Sequence, residues 1–327
     1  MDIIEFKQRF EHKPVIEEPN LVAQNPLVSV CVQTYQHARY IKQCLDGILM
    51  QKTNFDFEIL LGEDASIDGT REICKEYAKK FPDRIRLFLH HRENNIAIGG
   101  SPTGRFVFIT NLLSAQGKYI ALCEGDDYWT DPYKLQKQVN FLEKNPEIVL
   151  CSHKFESITE KGATSKKIKV KSDKLQLKDE LKKHTIHTAT LVFKNNISES
   201  YNYLLNPHLL SGDRLIILFL LVKGNGWVLN DRMSVYRKHI GGVTASEGNK
   251  NKFNLINNNI CIYQSVLYVI KCLKIQAFLK NKLASLYLSA ALHMLKKWKF
   301  LVFIKYLLKS NSYIVGYPFR KKKIKLS

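Results

Sequence analysis

The sequence predicts an α/β fold with a mostly parallel central sheet and flanking helices, plus a C-terminal helical region. Three observations carry that expectation. Between 27 and 155 short apolar runs alternate with helical patterns, the rhythm of parallel strands joined by crossover helices. Polar clusters follow three of those runs, where open parallel sheets bind ligands. Beyond Glu247 there is no Asp or Glu, and helical spacing replaces strand spacing.

Each element has its own signal. LVSVCVQ (27–33) reads as a buried strand, and 38–50 as a helix with Ile41, Leu45, Ile48 and Leu49 on one face. FEILLG (57–62) is a second strand. A helix over 70–81 is stopped by Pro82, and IRLFLH (85–90) is a third strand. Pro102 opens a helix to Gln116 that Gly117 ends, as terminus preferences predict. KYIALC (118–123) is a fourth strand, 132–145 a helix and 147–155 a fifth strand. The lysine-rich stretch 161–183 reads as a loop or excursion, and HTATLVF (187–193) as another strand. The second half of 206–222 is helical, 226–230 and 233–237 are two short strands, and 251–310 reads as about three helical segments.

The 327 residues are about two ordinary domains' worth of chain. With 45% hydrophobic and 24% charged residues, the chain is neither disordered nor collagen-like. Seven cysteines form no CxxC pair, which fits reduced, mostly buried thiols better than disulfides or zinc. The opening MDIIEFKQRFEHKP lacks the apolar core of a secretory leader. No run reaches the roughly 18–20 apolar residues of a membrane span. A cytoplasmic, soluble or peripheral protein is expected.

The net charge of +20 is uneven. Residues 248–327 hold 16 Lys and Arg, so the remaining 34 against 30 acids leave 1–247 at +4. The closing KSNSYIVGYPFRKKKIKLS mixes aromatics with a basic cluster at 320–323, suited to an anionic surface. Trp298, Phe300, Leu301, Phe303, Ile304, Leu307 and Leu308 suit an amphipathic helix lying on a membrane, with core packing as the competing reading. Nucleic acid is not expected as a partner, because the clusters at the strand ends are acidic.

Those clusters are Thr34-Tyr35, the stretch Glu63 to Thr70, and Glu124-Gly125-Asp126-Asp127. An EF-hand reading of the second fails, because its twelfth position is Lys75. Asp68 is placed to cap the following helix. In the third, three carboxylates within four residues are either a solvated turn or hard ligands for Mg²⁺ or Mn²⁺. Neither a P-loop nor a strand-linked GxGxxG is present.

In order and at the usual spacing, VSVCVQTYQHARYIKQCLDGILMQ, FEILLGEDASIDGT and GKYIALCEGDDYWTDPYKLQKQVNFL resemble the family 2 glycosyltransferases, with later support from LLSGDRLI and SVYRKHIGGVT. The resemblance implies a Rossmann-like GT-A fold, a nucleotide-sugar donor and inversion at the anomeric carbon. It implies an N-terminal extension (1–25), a glycosyltransferase domain (26–245) and a basic helical region (246–327). Within the domain, 26–155 would hold the donor and 156–245 the acceptor.

The resemblance also carries residue roles. Asp64 matches the acid contacting nucleobase or ribose, and Thr34 and Tyr35 the loop that holds the nucleoside. Glu124 and Asp126 occupy the Asp-x-Asp position, with Asp126 the Mn²⁺ or Mg²⁺ ligand and Asp127 supporting it. Asp213 matches the general base, and His239 a diphosphate or metal contact. Three departures stand out: Glu124 for the first Asp, Gln33 for a common Pro, and Gly212 for the Glu preceding the base.

Other residues take plainer readings. Arg105 is a candidate donor contact, and His187 an acceptor or phosphate contact. Trp129 packs against the metal loop or the acceptor sugar. His90 and His91 are expected to face solvent or a loop. The implied function is transfer of a sugar, with UDP the expected nucleotide carrier, to a saccharide or lipid-linked saccharide in surface polysaccharide synthesis. The alternative is a non-catalytic nucleotide-sugar or polyanion binder.

Overall fold

Strand order follows from the apolar runs. In chain order the strands are β1 (Ile16–Glu17), β2 (Val28–Thr34), β3 (Phe57–Glu63), β4 (Ile85–Leu89), β5 (Ala97–Ile98), β6 (Ser101–Pro102) and β7 (Tyr119–Glu124). They continue with β8 (Tyr128–Trp129), β9 (Ile148–Thr159), β10 (Gly162–Ala163), β11 (Lys174–Leu175), β12 (Val192–Lys194) and β13 (Asn225–Lys238). The helices are α1 (Ile3–Phe10), α2 (Ile41–Leu49), α3 (Thr70–Lys80), α4 (Arg105–Ser114), α5 (Lys134–Lys144), α6 (Leu177–Lys182), α7 (Tyr201–Leu204) and α8 (Gly212–Lys223). Three more close the chain: α9 (Lys252–Val269), α10 (Leu273–Lys296) and α11 (Phe300–Ile314). This computed structural model describes residues 1–98, 100–159, 162–163, 173–239 and 252–314.

The main sheet runs β1-β4-β3-β2-β7-β12-β9-β13-β11. Strands β4, β3, β2 and β7 are mutually parallel, and β12 enters antiparallel to both β7 and β9. The register sets Thr34 beside Glu63 and Gln33 beside Glu124, so the polar clusters leave one edge of the sheet together.

The central strands are apolar on both faces because helices cover both. Val30, Val32 and Leu61 pack with Ile41, Leu45, Leu135 and Val139 of α2 and α5. Cys31, Leu60 and Leu122 pack with Phe106 and Ile109 of α4 and with Ile216 and Phe219 of α8. On α9, Ile256, Ile260 and Val266 join that second core. Asn258 of α9 accepts from the backbone N–H groups of Leu210 and Ser211, fixing the start of α8.

Several boundaries differ from expectation. The helix after Pro102 starts at Arg105, because Ser101–Pro102 closes a small hairpin with Ala97–Ile98. Within 187–193 only Val192 and Phe193 are strand; Thr188–Thr190 form a 3₁₀ turn. The two short strands near 230 are one strand, β13, bent by register shifts against β9. Within the described residues 173–183, Leu175, Leu177 and Leu181 enter the core, and buried Glu180 accepts from Thr185 and contacts His184. The sequence hid this because lysines surround those three leucines. His90 is buried rather than solvent-facing, edge-on to Phe106 at 5.6 Å.

Three C-terminal helices form as expected, and among the described residues no helix is long and apolar enough to cross a membrane. One side of α11 packs on α10, where Ser310 donates to the Ala284 carbonyl. Its other side leaves Leu301, Ile304 and Leu308 exposed. The basic stretch 315–327 lies outside the described residues. Six of the seven cysteines are buried and all are free thiols.

Candidate active site

The site forms where the loops after β2, β3 and β7 meet. The β2 loop is fastened to the β3 loop by its own backbone. Successive N–H groups of Gln36, His37 and Ala38 donate to Ser66 Oγ, Thr70 Oγ1 and Asp68 Oδ2. Asp68 Oδ1 also accepts from the Thr70 N–H, but it stands one residue before the N-cap: Gly69 holds that position in the left-handed region with no side-chain cap, so the capping role expected of Asp68 is replaced by a turn contact. Gln36 and Ala65 adopt the left-handed backbone region, a cost of about 1 kcal/mol or more each. Such strain persists only where the surroundings enforce it.

At one end stands Asp64, which is buried. Its Oδ2 accepts from Arg92 Nη1 at 2.5 Å and Asn95 Nδ2 at 3.1 Å, while Oδ1 has no partner. Burial pushes its carboxyl up to about 6, against the pull of Arg92. The Arg92 guanidinium lies 3.9 Å over the half-exposed ring of Tyr35. Together these residues offer a flat aromatic-cationic shelf beside an unpartnered buried acceptor. Neither Arg92 nor Asn95 stands out in the sequence, since a polar residue after a strand end carries no distinctive spacing.

At the other end is Asp126. Its Oδ2 lies 2.9 Å from His239 Nε2 and 3.9 Å from His37 Nε2. Burial alone would raise this carboxyl, but the His239 hydrogen bond and the His37 imidazole more than offset it and hold it below the usual range. His37, Asp126 and His239 each offer a ligand atom within 4.8 Å of the others. Asp127 is not in that group. It turns into the protein, where its Oδ1 accepts from the Arg237 N–H, and burial raises its pKa well above normal. Arg237 clamps the same turn, donating to the Asp126 carbonyl and stacking 4.3 Å over Tyr128.

Two departures from the family pattern are partners of each other. Gln33 Nε2 donates to Glu124 Oε1 at 2.8 Å. The Glu124 carboxyl is pushed up to about 8, first by burial and then by the charges of Asp126 and Asp213.

Asp213 opens α8, where the helix N-terminus favours a negative charge. Its Oδ2 accepts from Thr188 Oγ1 at 3.0 Å. Its charge is felt at Glu124, Arg105 and His187. The His187 ring lies 4.0 Å from the Tyr236 ring, and burial lowers its pKa to about 4. The Ala189 N–H points at His187 Nδ1, so His187 is neutral near pH 7 and its Nε2 carries the proton.

Three sequence expectations change place. Arg105 does not face a donor: its buried guanidinium donates to the carbonyls of Leu209 and Leu210. Trp129 is 1% exposed and cannot touch an acceptor; its Nε1 donates to the Ala189 carbonyl inside the core. Thr34 is buried, with Oγ1 3.2 Å from His37 Nδ1 rather than open to a nucleoside.

Comparison with known proteins agrees with this architecture. A family model described as "Glycosyl transferase family 2" matches residues 29–201. The uncharacterized protein Rv1520 of Mycobacterium tuberculosis is 34% identical over 218 residues, 66% of this chain and 60% of its own length. This chain therefore spans under two thirds of that relative. TuaG of Bacillus subtilis, named as a candidate glycosyltransferase of teichuronic acid biosynthesis, is 32% identical over 117 residues, 36% of this chain and 42% of its own. Among solved structures, S. aureus TarS 1-349 in complex with UDP-GlcNAc superposes with a TM-score of 0.58 at 15% identity, covering 90% of this chain and 93% of that one. That likeness concerns the fold, a GT-A arrangement of mixed sheet and flanking helices. With the family model covering more than half of its residues, this chain belongs to glycosyl transferase family 2.

Proposed function

We propose that the protein is an inverting glycosyltransferase that moves a sugar from a nucleoside diphosphate donor, with UDP the nucleotide of choice, to a saccharide or lipid-linked saccharide of a surface polysaccharide. The single observation that carries this reading is convergence. Asp64 and Asp126 follow β3 and β7, which flank β2 at the same end of the sheet, and Asp213, from a distant segment, has its charge felt at Glu124 and at His187. The UDP-GlcNAc complex of TarS and the naming of TuaG support the donor and product classes.

In this reading the nucleoside lies on the Tyr35–Arg92 shelf, with Asp64 Oδ1 accepting from the base or ribose. The residues fit a divalent cation such as Mn²⁺ or Mg²⁺: Asp126 and His239 face one point, and the turn holding them is clamped by Arg237. The cation, when bound, neutralises charge developing on the diphosphate.

Asp213 takes the proton from the acceptor hydroxyl, whose pKa lies far above 7. Thr188 occupies Asp213 Oδ2, which leaves Oδ1 to receive that proton. The acceptor oxygen bonds to the anomeric carbon as the bond to the diphosphate oxygen breaks, and the electron pair leaves with the diphosphate. One displacement inverts the centre.

The C-terminal region suits a membrane surface. Leu301, Ile304 and Leu308 are exposed on α11, and the sequence beyond 247 has no acid. Burial of such a face in an anionic leaflet, steered by lysines, gives peripheral binding that salt weakens.

A donor panel assayed with Mn²⁺, read by nucleotide release and by NMR of the product anomer, tests the reading. Asp126→Ala and Asp213→Ala are expected to lose 10²-fold or more in rate. Unchanged rates, or a product with retained configuration, overturn it. Sedimentation with phosphatidylglycerol vesicles, with and without residues 311–327, tests the membrane part.

A further inference from the structure

We propose that His37 is a third protein ligand of the divalent cation, so that the ion is held by two imidazoles and one carboxylate: His37, His239 and Asp126. This rests on the reading that Asp126 carries a cation, and extends it to a residue that no acidic motif marks.

The first argument is position. His37 Nε2 stands 3.9 Å from Asp126 Oδ2, beyond hydrogen-bond reach. Two atoms bound to one ion at about 2.1 Å lie roughly 3–4.2 Å apart. All three donor atoms fall within 4.8 Å of one another. The His37 and His239 rings meet nearly edge-on, at 85° with centroids 6.2 Å apart, so both can direct a nitrogen to one point without stacking.

The second argument is preparation. A ligating imidazole is normally oriented by a partner on its other nitrogen. His37 Nδ1 has that partner in Thr34 Oγ1 at 3.2 Å. With Nδ1 donating, Nε2 keeps its lone pair towards Asp126. The backbone of His37 is fixed as well, its N–H donating to Thr70 Oγ1 at 2.8 Å.

The third argument is space. A Cβ on Gly125 would come 2.6 Å from Thr34 Oγ1 and 2.9 Å from His37 Nδ1. The glycine inside Glu-Gly-Asp-Asp thus makes room for the Thr34–His37 pair directly behind Asp126. A solvated surface histidine would need neither the glycine nor the buried threonine.

A donor set of two nitrogens and one oxygen shifts preference away from Mg²⁺, which takes oxygen, towards Mn²⁺ and later transition metals. The alternative is that His37 touches diphosphate only, with no bond to the ion.

The test uses MnCl₂ and the full chain, with and without UDP. Pulsed EPR counts the nitrogens bound to Mn²⁺, and titration calorimetry gives Kd. Two imidazole nitrogens are expected in the wild type, and one in either His37→Gln or His239→Gln. His37→Gln should raise Kd for Mn²⁺ 10-fold or more, with a smaller change for Mg²⁺. Thr34→Val should weaken Mn²⁺ about 10-fold, as loss of an orienting partner does. One nitrogen in the wild type, or two in His37→Gln, overturns the proposal while leaving Asp126 as a ligand. Absence of Mn²⁺ binding overturns both this inference and the metal in the proposed function. The wild-type nitrogen count decides the matter even if a variant fails to fold.

Discussion

A Cβ on Gly212 would stand 1.7 Å from Nη1 of Arg105. That relationship explains the glycine before Asp213, one of the departures from the pattern that the resemblance implies. The Arg105 guanidinium fills the place, and its Nη2 holds the carbonyls of Leu209 and Leu210 just before α8. Arg105 is thus a positioning residue for Asp213. Arg105→Met would strand two buried carbonyls and is expected to cost about 2–4 kcal/mol, measured by urea unfolding. Transfer should fall at least 10-fold in kcat with the donor KM little changed, because Asp64 and Tyr35 are untouched. Gly212→Ala should reproduce a milder form of both effects, about 1–3 kcal/mol, through overpacking.

Arg92 makes a different prediction at the other end of the site. Asp64 is the stronger acceptor for a base or ribose when ionised, and its pKa of about 6 is set by burial working against Arg92. Nucleotide affinity should therefore decline as pH falls through about 6. Arg92→Ala removes the lowering partner, so the midpoint should move to higher pH. It also removes the cation above Tyr35, and UDP binding at pH 7 should weaken about 10-fold. Calorimetric titration with UDP from pH 5 to 8 checks both; an unmoved midpoint would separate Asp64 from the nucleoside.

Much of the parallel core is legible in the sequence because its strands are continuous apolar runs and its helices carry a clear face. The acidic ends of β3 and β7 are legible for a related reason: carboxylates directly after an apolar strand fall at the carboxyl end of the sheet, where ligands bind. What stays hidden depends on contacts across the fold. His37 and Arg92 sit in loops with no periodicity, and their meaning comes from Asp126 and Asp64 opposite them. Arg105 reads as a donor contact because its helix precedes the fourth strand, whereas its guanidinium turns to the carbonyls just before α8. Gln33 and Glu124 look like two separate departures, yet they are one hydrogen-bonded pair. Trp129 follows the metal loop directly in sequence, but strand alternation points it inward.

His90 provides a stability test independent of catalysis. It is buried edge-on to Phe106, both ring nitrogens lack a partner, and burial lowers its pKa to about 3. The unfolded chain takes up that proton below about pH 6.5, whereas the folded chain does not until about 3. The neutral imidazole is therefore compatible with full stability above 6.5, and stability is lost as pH falls from there. His90→Leu removes this term. Relative to the wild type, the variant should gain about 2 kcal/mol on going from pH 7 to 4.5. Equal pH slopes in urea unfolding would show that His90 is not held neutral.

Lys134 carries the same sign in a higher pH window. Its side chain is fully buried, Nζ lies 3.9 Å over the Trp129 ring, and no hydrogen-bond partner reaches it. Burial lowers its pKa to about 7 from an ordinary 10.5. Below 7 both folded and unfolded chains hold the proton, and the folded chain bears the full cost of the buried charge. Between 7 and 10.5 only the unfolded chain is protonated, so the cost shrinks as pH rises and vanishes above 10.5. Lys134→Met keeps the length of the side chain and sets sulfur against the indole, a favourable contact. At pH 7 the variant should be more stable by about 1–3 kcal/mol, and that gap should narrow steadily towards pH 10. Because Trp129 and Lys134 lie inside the core, the same variant should leave Mn²⁺ and UDP affinities unchanged. A less stable Lys134→Met protein at pH 7 would mean that the cation over Trp129 contributes more than its desolvation costs.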